Sequence, residues 1–413
     1  MIHSVNTNFI AQILTLPSKA FKRISVCSAT ISVVGLTLGL AGCDNSTPTP
    51  PASAISPIKQ LPTPLTTEGM EEFRNGLLNM SDRQLLAAFD SSKELQQITN
   101  EFLAAPSTEL LNQTRVAWRA AYSEYLRSLP MLQLPISEPS DWYKQGLTRQ
   151  QLSKQLNSWP IEPGYIDYID DYPLTGIVND DTVVLSQQAI ADQHQFSDET
   201  YVSIGFHAIE FLLWGEHGNR SADDFNPAAT QSAAPQENTN KTDSKQIKPS
   251  HYNQKRRGDY LRLITELLVQ HMQRLQLRWD IENGYYAEQL SQIAPGKVLY
   301  ATLLTQDRII GQGLIARYSQ NDSSPFSKTS RQDTKAILDG IRVLLLPKNS
   351  QQDALWPLIS TDVDKANALD SALENALTCA QAEGKDCQQD LVKLQRSLRE
   401  AASVLGIRLT AGQ

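Results

Sequence analysis

Basic charge is in deficit in this chain. Lys and Arg number 37 against 45 Asp and Glu, for a formal net charge of -8. A surface of that sign repels phosphate backbones, so non-specific nucleic-acid binding is excluded and no nucleic acid is expected as a partner. Runs of alternating apolar and polar residues between hairpin turns are also missing, which argues against a sheet. Histidine is scarce, six in 413 residues, and no His-Glu-x-x-His occurs, so a common zinc-peptidase motif is absent. Cysteine is scarcer still, at four.

Ionisable side chains are missing from Ile24 to Leu40, apart from the Cys27 thiol, and Lys19, Lys22 and Arg23 stand just before. A basic segment followed by an apolar one is the layout of an export signal. It ends in Leu40-Ala41-Gly42-Cys43, which resembles the lipobox of bacterial lipoproteins. Residues 1–42 are therefore expected to be a signal peptide, cut before Cys43, with lipid on that cysteine holding the protein to a membrane. The alternative is a transmembrane anchor, but an apolar run of about 17 residues is at the short limit for a span. Residues 43–66 are rich in Pro, Ser and Thr and free of aromatics, and read as a disordered tether. The body is expected to face the periplasm, and Asp44 favours the inner over the outer membrane. Removing residues 1–42, which hold three basic and no acidic side chains, takes the net charge from -8 to -11.

Cys379 and Cys387 remain, in an oxidising compartment, on either side of a turn-like Ala-Gln-Ala-Glu-Gly-Lys-Asp connector. A disulfide stapling a helix–loop–helix corner is the expected use, with a redox or metal pair as the alternative.

Apolar residues recur at helical spacing along almost all of the remaining chain. Leu261, Ile264, Leu268, His271, Leu275 and Trp279 mark one long amphipathic helix, and Leu391, Leu394, Leu398 and Ala401 mark the last. The expected fold is all-α, two antiparallel helical bundles packed together with a groove between them. Residues 67–218 would form the first bundle and 251–413 the second. Residues 219–250, rich in Asn, Ser, Thr, Gln and Lys, read as a disordered insertion between them.

The segment Gly205-Phe-His-Ala-Ile-Glu-Phe-Leu-Leu-Trp-Gly215 carries the chemistry. With Asp198 as cap, a helix is expected to run to Trp214. His207 and Glu210, three apart, share a face and could hold one metal ion with ligands from elsewhere. The bland alternative is a His hydrogen-bonded to a Glu inside the core. Gly205 leaves room for another backbone or a ligand.

This segment resembles the GxHxxE signature of the imelysin-like family, which includes an insulin-cleaving metalloproteinase and iron-regulated protein A. Three more stretches agree in order: Arg115-Val-Ala-Trp118 to Glu124, Asn157-Ser-Trp-Pro-Ile-Glu-Pro-Gly-Tyr-Ile-Asp-Tyr168, and Arg256-Arg-Gly-Asp-Tyr-Leu261. The resemblance covers about 67–410. It implies paired helical bundles with the motif helix near their groove, and a role in iron uptake beside a transport component. The sequence departs from the family at Asn321-Asp-Ser-Ser-Pro-Phe-Ser327, which keeps Asp322, Phe326 and Ser327 but lacks the His and Cys many members carry.

On this basis His207, Glu210 and Glu124 are the expected metal ligands, iron the expected ion and zinc the alternative. Glu162, Asp167 and Asp170 are weaker candidates. Gly205, Arg115, Arg119 and Trp118 are expected at the groove, the two arginines facing Glu124 or an anion such as citrate. A zinc peptidase of the imelysin type would need a second histidine from His194, His217, His251 or His271. A metal-free peptide or small-anion binder is the third reading. The alternatives separate on whether His207 and Glu210 meet Glu124 in a wet cleft or close on each other in the core.

Overall fold

The computed structural model describes residues 66–227, 253–316, 323–346 and 355–409. The expectations for the signal peptide, Cys43 and the tether fall outside these residues, as do His251 and Asp322. Among the described residues there is no β-strand, and no helix is long and apolar enough to cross a membrane.

Among the described residues, ten helices of eight residues or more make the framework: α1 Thr67–Ala104, α2 Thr108–Leu132, α3 Arg149–Asn157, α4 Phe206–Trp214, α5 Gln254–Trp279, α6 Tyr285–Gln292, α7 Pro295–Arg308, α8 Ser330–Leu345, α9 Val363–Gln381 and α10 Gln388–Val404. After Arg308, α7 continues as a π-helical stretch, Ile309–Ile315. The starts follow from local chemistry. Thr66 Oγ1 accepts the Gly69 N–H to open α1, Ser107 Oγ accepts the Leu110 N–H to open α2, and Thr148 with Gln151 forms a reciprocal capping box at α3.

α1 packs along α2 and also along α5, while α2 carries α8 on another side. α9 and α10 pair with each other, and α9 packs on α8. The core is continuous, from Phe73 and Leu77 through Leu261 and Leu268 to Leu394 and Leu398. Helices on both sides of the long insertion thus bury their apolar stripes on one another.

α4 starts at Phe206, not after Asp198. Asp198 accepts instead from the Thr200 N–H and hydroxyl in a local turn. The intervening Tyr201–Ile204 is irregular, and Gly205, at φ +91°, makes the entry to the helix. All nine residues of α4 are buried, as expected of a helix that is apolar nearly all round.

The first residues of the expected insertion are tied down. Arg220, Asp224 and Phe225 are buried, and Phe225 packs edge-on to Phe102 with ring centres 5.0 Å apart. Their polar neighbours in sequence concealed this anchor. Cys379 and Cys387 are joined by a disulfide between the end of α9 and the start of α10. The Arg331 guanidinium donates to the carbonyls of Cys379, at 2.8 Å, and Lys385, at 2.9 Å, so the stapled corner is also hydrogen-bonded to α8.

Candidate functional site

α4 is held by its neighbours before any ligand is considered. A methyl group at Gly205 would lie 2.6 Å from the Leu156 carbonyl oxygen. Only glycine therefore lets the start of α4 rest on the end of α3. Trp118, from α2, donates its indole N–H to the Phe206 carbonyl at 2.9 Å. Arg115 donates to the Leu213 carbonyl from both Nε and Nη2, and to the Arg220 carbonyl from Nη2, satisfying the C-terminal end of α4. Arg119 lies over the Trp214 ring, 5.2 Å from its centre. Gly205, Arg115, Arg119 and Trp118 thus all serve to seat the motif helix. Burial lowers the pKa of both arginines, and for Arg115 the neighbouring Arg119 and Arg220 lower it further.

His207 and Glu210 close on each other. His207 Nδ1 lies 2.9 Å from Glu210 Oε2, with the two side chains 1% and 0% exposed. The other carboxylate oxygen, Oε1, accepts the Ser327 backbone N–H at 2.9 Å and the Ser327 hydroxyl at 2.6 Å. A buried carboxylate needs such donors to offset its lost hydration. On the far edge of the imidazole, His207 Nε2 is 3.2 Å from the Tyr122 hydroxyl. That hydroxyl is also 3.1 Å from Asn157 Oδ1. Trp159 packs on the imidazole with ring centres 5.0 Å apart, and it is the partly exposed member of this shell. Five segments, α2, α3, the loop after α3, α4 and the loop before α8, therefore converge on one histidine.

Glu124 does not join them. Its carboxylate accepts from Gln84 Nε2 at 2.9 Å and from Arg127 at 2.8 Å. It is two residues beyond Tyr122, and two residues on a helix turn the side chain about 200° away. Tyr122 is the side chain of α2 that reaches His207. Tyr122, Asn157 and Ser327 are the site residues that spacing did not single out. All three nevertheless stand inside the stretches that carried the family resemblance or its departure.

The other candidates are placed elsewhere. His194 accepts the Ser203 N–H on Nδ1 and pairs its Nε2 with the Lys154 carbonyl at 3.1 Å. Burial brings the pKa of His194, and separately that of His271, down to about 4. Asp170, Glu216 and His217 gather on the surface with ligand atoms within 4.8 Å of one another, the one such group among the described residues. Glu162 precedes a single helical turn, Pro163–Ile166, without capping it.

Asp167 is fully buried in a second polar centre. It accepts from Arg220 Nη1 and Arg257 Nε, both at 2.6 Å, and from Arg257 Nη2 at 3.0 Å. Burial works to raise its pKa, but the two guanidiniums outweigh it and hold the carboxyl below the usual range. Asp224, beside it, is raised by burial against the pull of Arg220. Tyr168, which donates to Asp224 at 2.9 Å, is pushed up to about 12 by burial. This centre ties the loop after α3 to the start of α5.

Two solved structures share the fold. A putative iron-regulated protein A precursor from Parabacteroides distasonis superposes with a TM-score of 0.54 at 14% identity, over 83% of this chain and 95% of that one. An imelysin-like protein from Psychrobacter arcticum does so with a TM-score of 0.53 at 13% identity, over 84% and 98%. No curated protein sequence matches. The family model described as Imelysin matches residues 85–404, a span that contains the whole shell around His207, and the chain belongs to the imelysin family.

Proposed function

We propose that this chain is a membrane-tethered binding protein of the cell envelope that captures a metal ion, iron, at His207 and hands it to a transport component. The observation that carries this reading is the orientation of His207. Its Nδ1 is held by Glu210, which Ser327 holds in turn. A carboxylate behind a histidine sets the tautomer and aims the second nitrogen, as in metal-binding histidines generally. The lipobox-like Leu40-Ala41-Gly42-Cys43 and the mature charge of -11 support a cation-handling protein at a membrane surface. An iron-regulated protein A precursor among the fold neighbours agrees with it.

The zinc-peptidase alternative is disfavoured by the same geometry. It asks for about three protein ligands and an open water position. Both oxygens of Glu210 are already occupied by Ser327 and His207. The metal-free reading, a small anion or peptide binder, is the second reading, since a His207–Glu210 pair closed in the core also stands without an ion.

Calorimetric titration of the full-length protein in detergent, with ferric ion as a weak chelate and with zinc, tests these readings. One ion bound by the wild type, lost in His207→Ala and kept in His217→Ala, is the expected result. Binding lost only in His217→Ala would move the site to the surface group around Asp170. No binding by any form would leave the metal-free reading.

A further inference from the structure

We propose that the cleft at the start of α3, lined by Glu138, Tyr143, Arg149, Gln150 and Lys154, is a second binding site, and that its ligand is a small hydroxylated carboxylate. This site is independent of the reading of His207 and needs no metal ion.

The cleft holds about 420 Å3, within the range of small-molecule sites, roughly 300–1,000 Å3. Two elements shape it. A single 3-10 turn, Trp142–Gln145, ends at Gly146, where φ is +63°. α3 then opens at Thr148, whose hydroxyl donates to Gln151 Oε1 at 2.6 Å. The other end of the Gln151 amide donates to the Tyr143 carbonyl at 3.2 Å, so one side chain ties the turn to the helix. The walls are therefore set before any ligand arrives.

The charge of the cleft comes from side chains, not from the helix end. Glu138 already answers the start of α3: its Oε1 accepts the Arg149 backbone N–H at 2.7 Å and the Tyr286 hydroxyl, with Arg278 3.8 Å away. Arg149 spends Nη1 on the Leu134 carbonyl, and its Nε is buried with no partner. Lys154 uses its backbone carbonyl, which accepts from Ser158 and pairs with His194. Its ammonium makes no hydrogen bond or ion pair among the described residues. Two cations against one carboxylate that is already paired leave the cleft positive, on a protein of net charge -8. A cleft of one sign focuses the field and gathers ligands of the opposite sign.

The remaining groups narrow the class. Gln150 and Lys154, four apart on α3, share a face. Glu138 Oε2 accepts nothing among the described residues, and an ionised carboxylate oxygen can only accept. A bare inorganic anion does not satisfy it, whereas a ligand hydroxyl does. The Tyr143 ring, 59% exposed, offers an apolar face to a carbon skeleton. A carboxylate for Lys154, with hydroxyls for Glu138 and Gln150 and carbon for Tyr143, meets all of these. A sugar acid and an open-chain hydroxy acid both carry that chemistry.

The test is calorimetric titration of the full-length protein in detergent, with a chelator present to keep metal ions out. The probes are D-glucuronate, L-tartrate and acetate. One equivalent of glucuronate or tartrate should bind, about tenfold or more tighter than acetate. The tighter of the two tells sugar acid from open-chain acid. Lys154→Met and Tyr143→Ala remove no side-chain hydrogen bond seen among the described residues. Each should weaken binding about tenfold with circular dichroism unchanged. Acetate binding as well as the hydroxylated acids would reduce the site to plain ion pairing and overturn the assignment. So would the absence of binding by the wild type, or binding that both variants keep. Each of these failures leaves the His207 reading standing, because no metal takes part.

Discussion

At the scale of single residues, two buried carboxylates organise the molecule, and each is satisfied from far along the chain. Asp167 draws its partners from 53 and 90 residues away, Arg220 and Arg257. Removing one member of a buried ionic group leaves the others charged and unmatched. Asp167→Asn is expected to cost about 3–5 kcal/mol in equilibrium denaturation by urea, far more than a surface substitution. Glu210 is held more lightly from outside α4. Ser327→Ala removes one hydroxyl donor and keeps the backbone N–H, so about 1.5–3 kcal/mol is the expected loss, again by urea denaturation. Neither role was readable from the chain. Arg220 and Asp224 sit at the head of a polar stretch, and charged residues there look solvated until Asp167 is placed beside them. Ser327 lies in a short irregular loop with no periodicity to mark it. Glu124 misled for the opposite reason, since its helix was correctly placed and only its rotation about the axis was not.

Among elements, α4 shows what local pattern conveys and what it does not. Its near-continuous apolar character announced burial, and its polar pair announced an interior partner; both follow from hydrophobicity at helical spacing. Its start was not legible. Asp198 had the right side chain for a cap, but seven residues of irregular chain separate it from Phe206, and the entry is made by Gly205 at φ +91°. Gly205→Ala is expected to cost about 1–3 kcal/mol from the backbone conformation alone. Overlap with the Leu156 carbonyl adds to it, so a clear fall in Tm by calorimetry is the outcome to look for. The longer helices were legible nearly throughout: Leu261, Ile264, Leu268, His271, Leu275 and Trp279 are all buried along α5. The Cys379–Cys387 staple was legible too, because its connector had turn chemistry and its flanks helical periodicity.

For the whole molecule, acid should act through two histidines that the binding site does not use. Burial holds His194 and His271 at about 4, against an ordinary 6.5. Above pH 6.5 both are neutral whether the chain is folded or not, and they add no pH dependence. As pH falls below 6.5 the unfolded chain takes up protons that the folded chain refuses, so stability declines until about pH 4. A gap of this size amounts to at most about 3 kcal/mol per histidine. Urea midpoints at pH 7, 5.5 and 4.5 should fall in order, and a His194→Gln, His271→Gln double variant should flatten the slope. The pairing of α5 with α1 and the burial of Arg257 against Asp167 have one more consequence. A chain severed between residues 228 and 252 would give two pieces, each lacking part of the other's core. Made separately, neither piece should adopt a stable structure; made in the same cell, they should fold upon each other and elute as one complex until denatured.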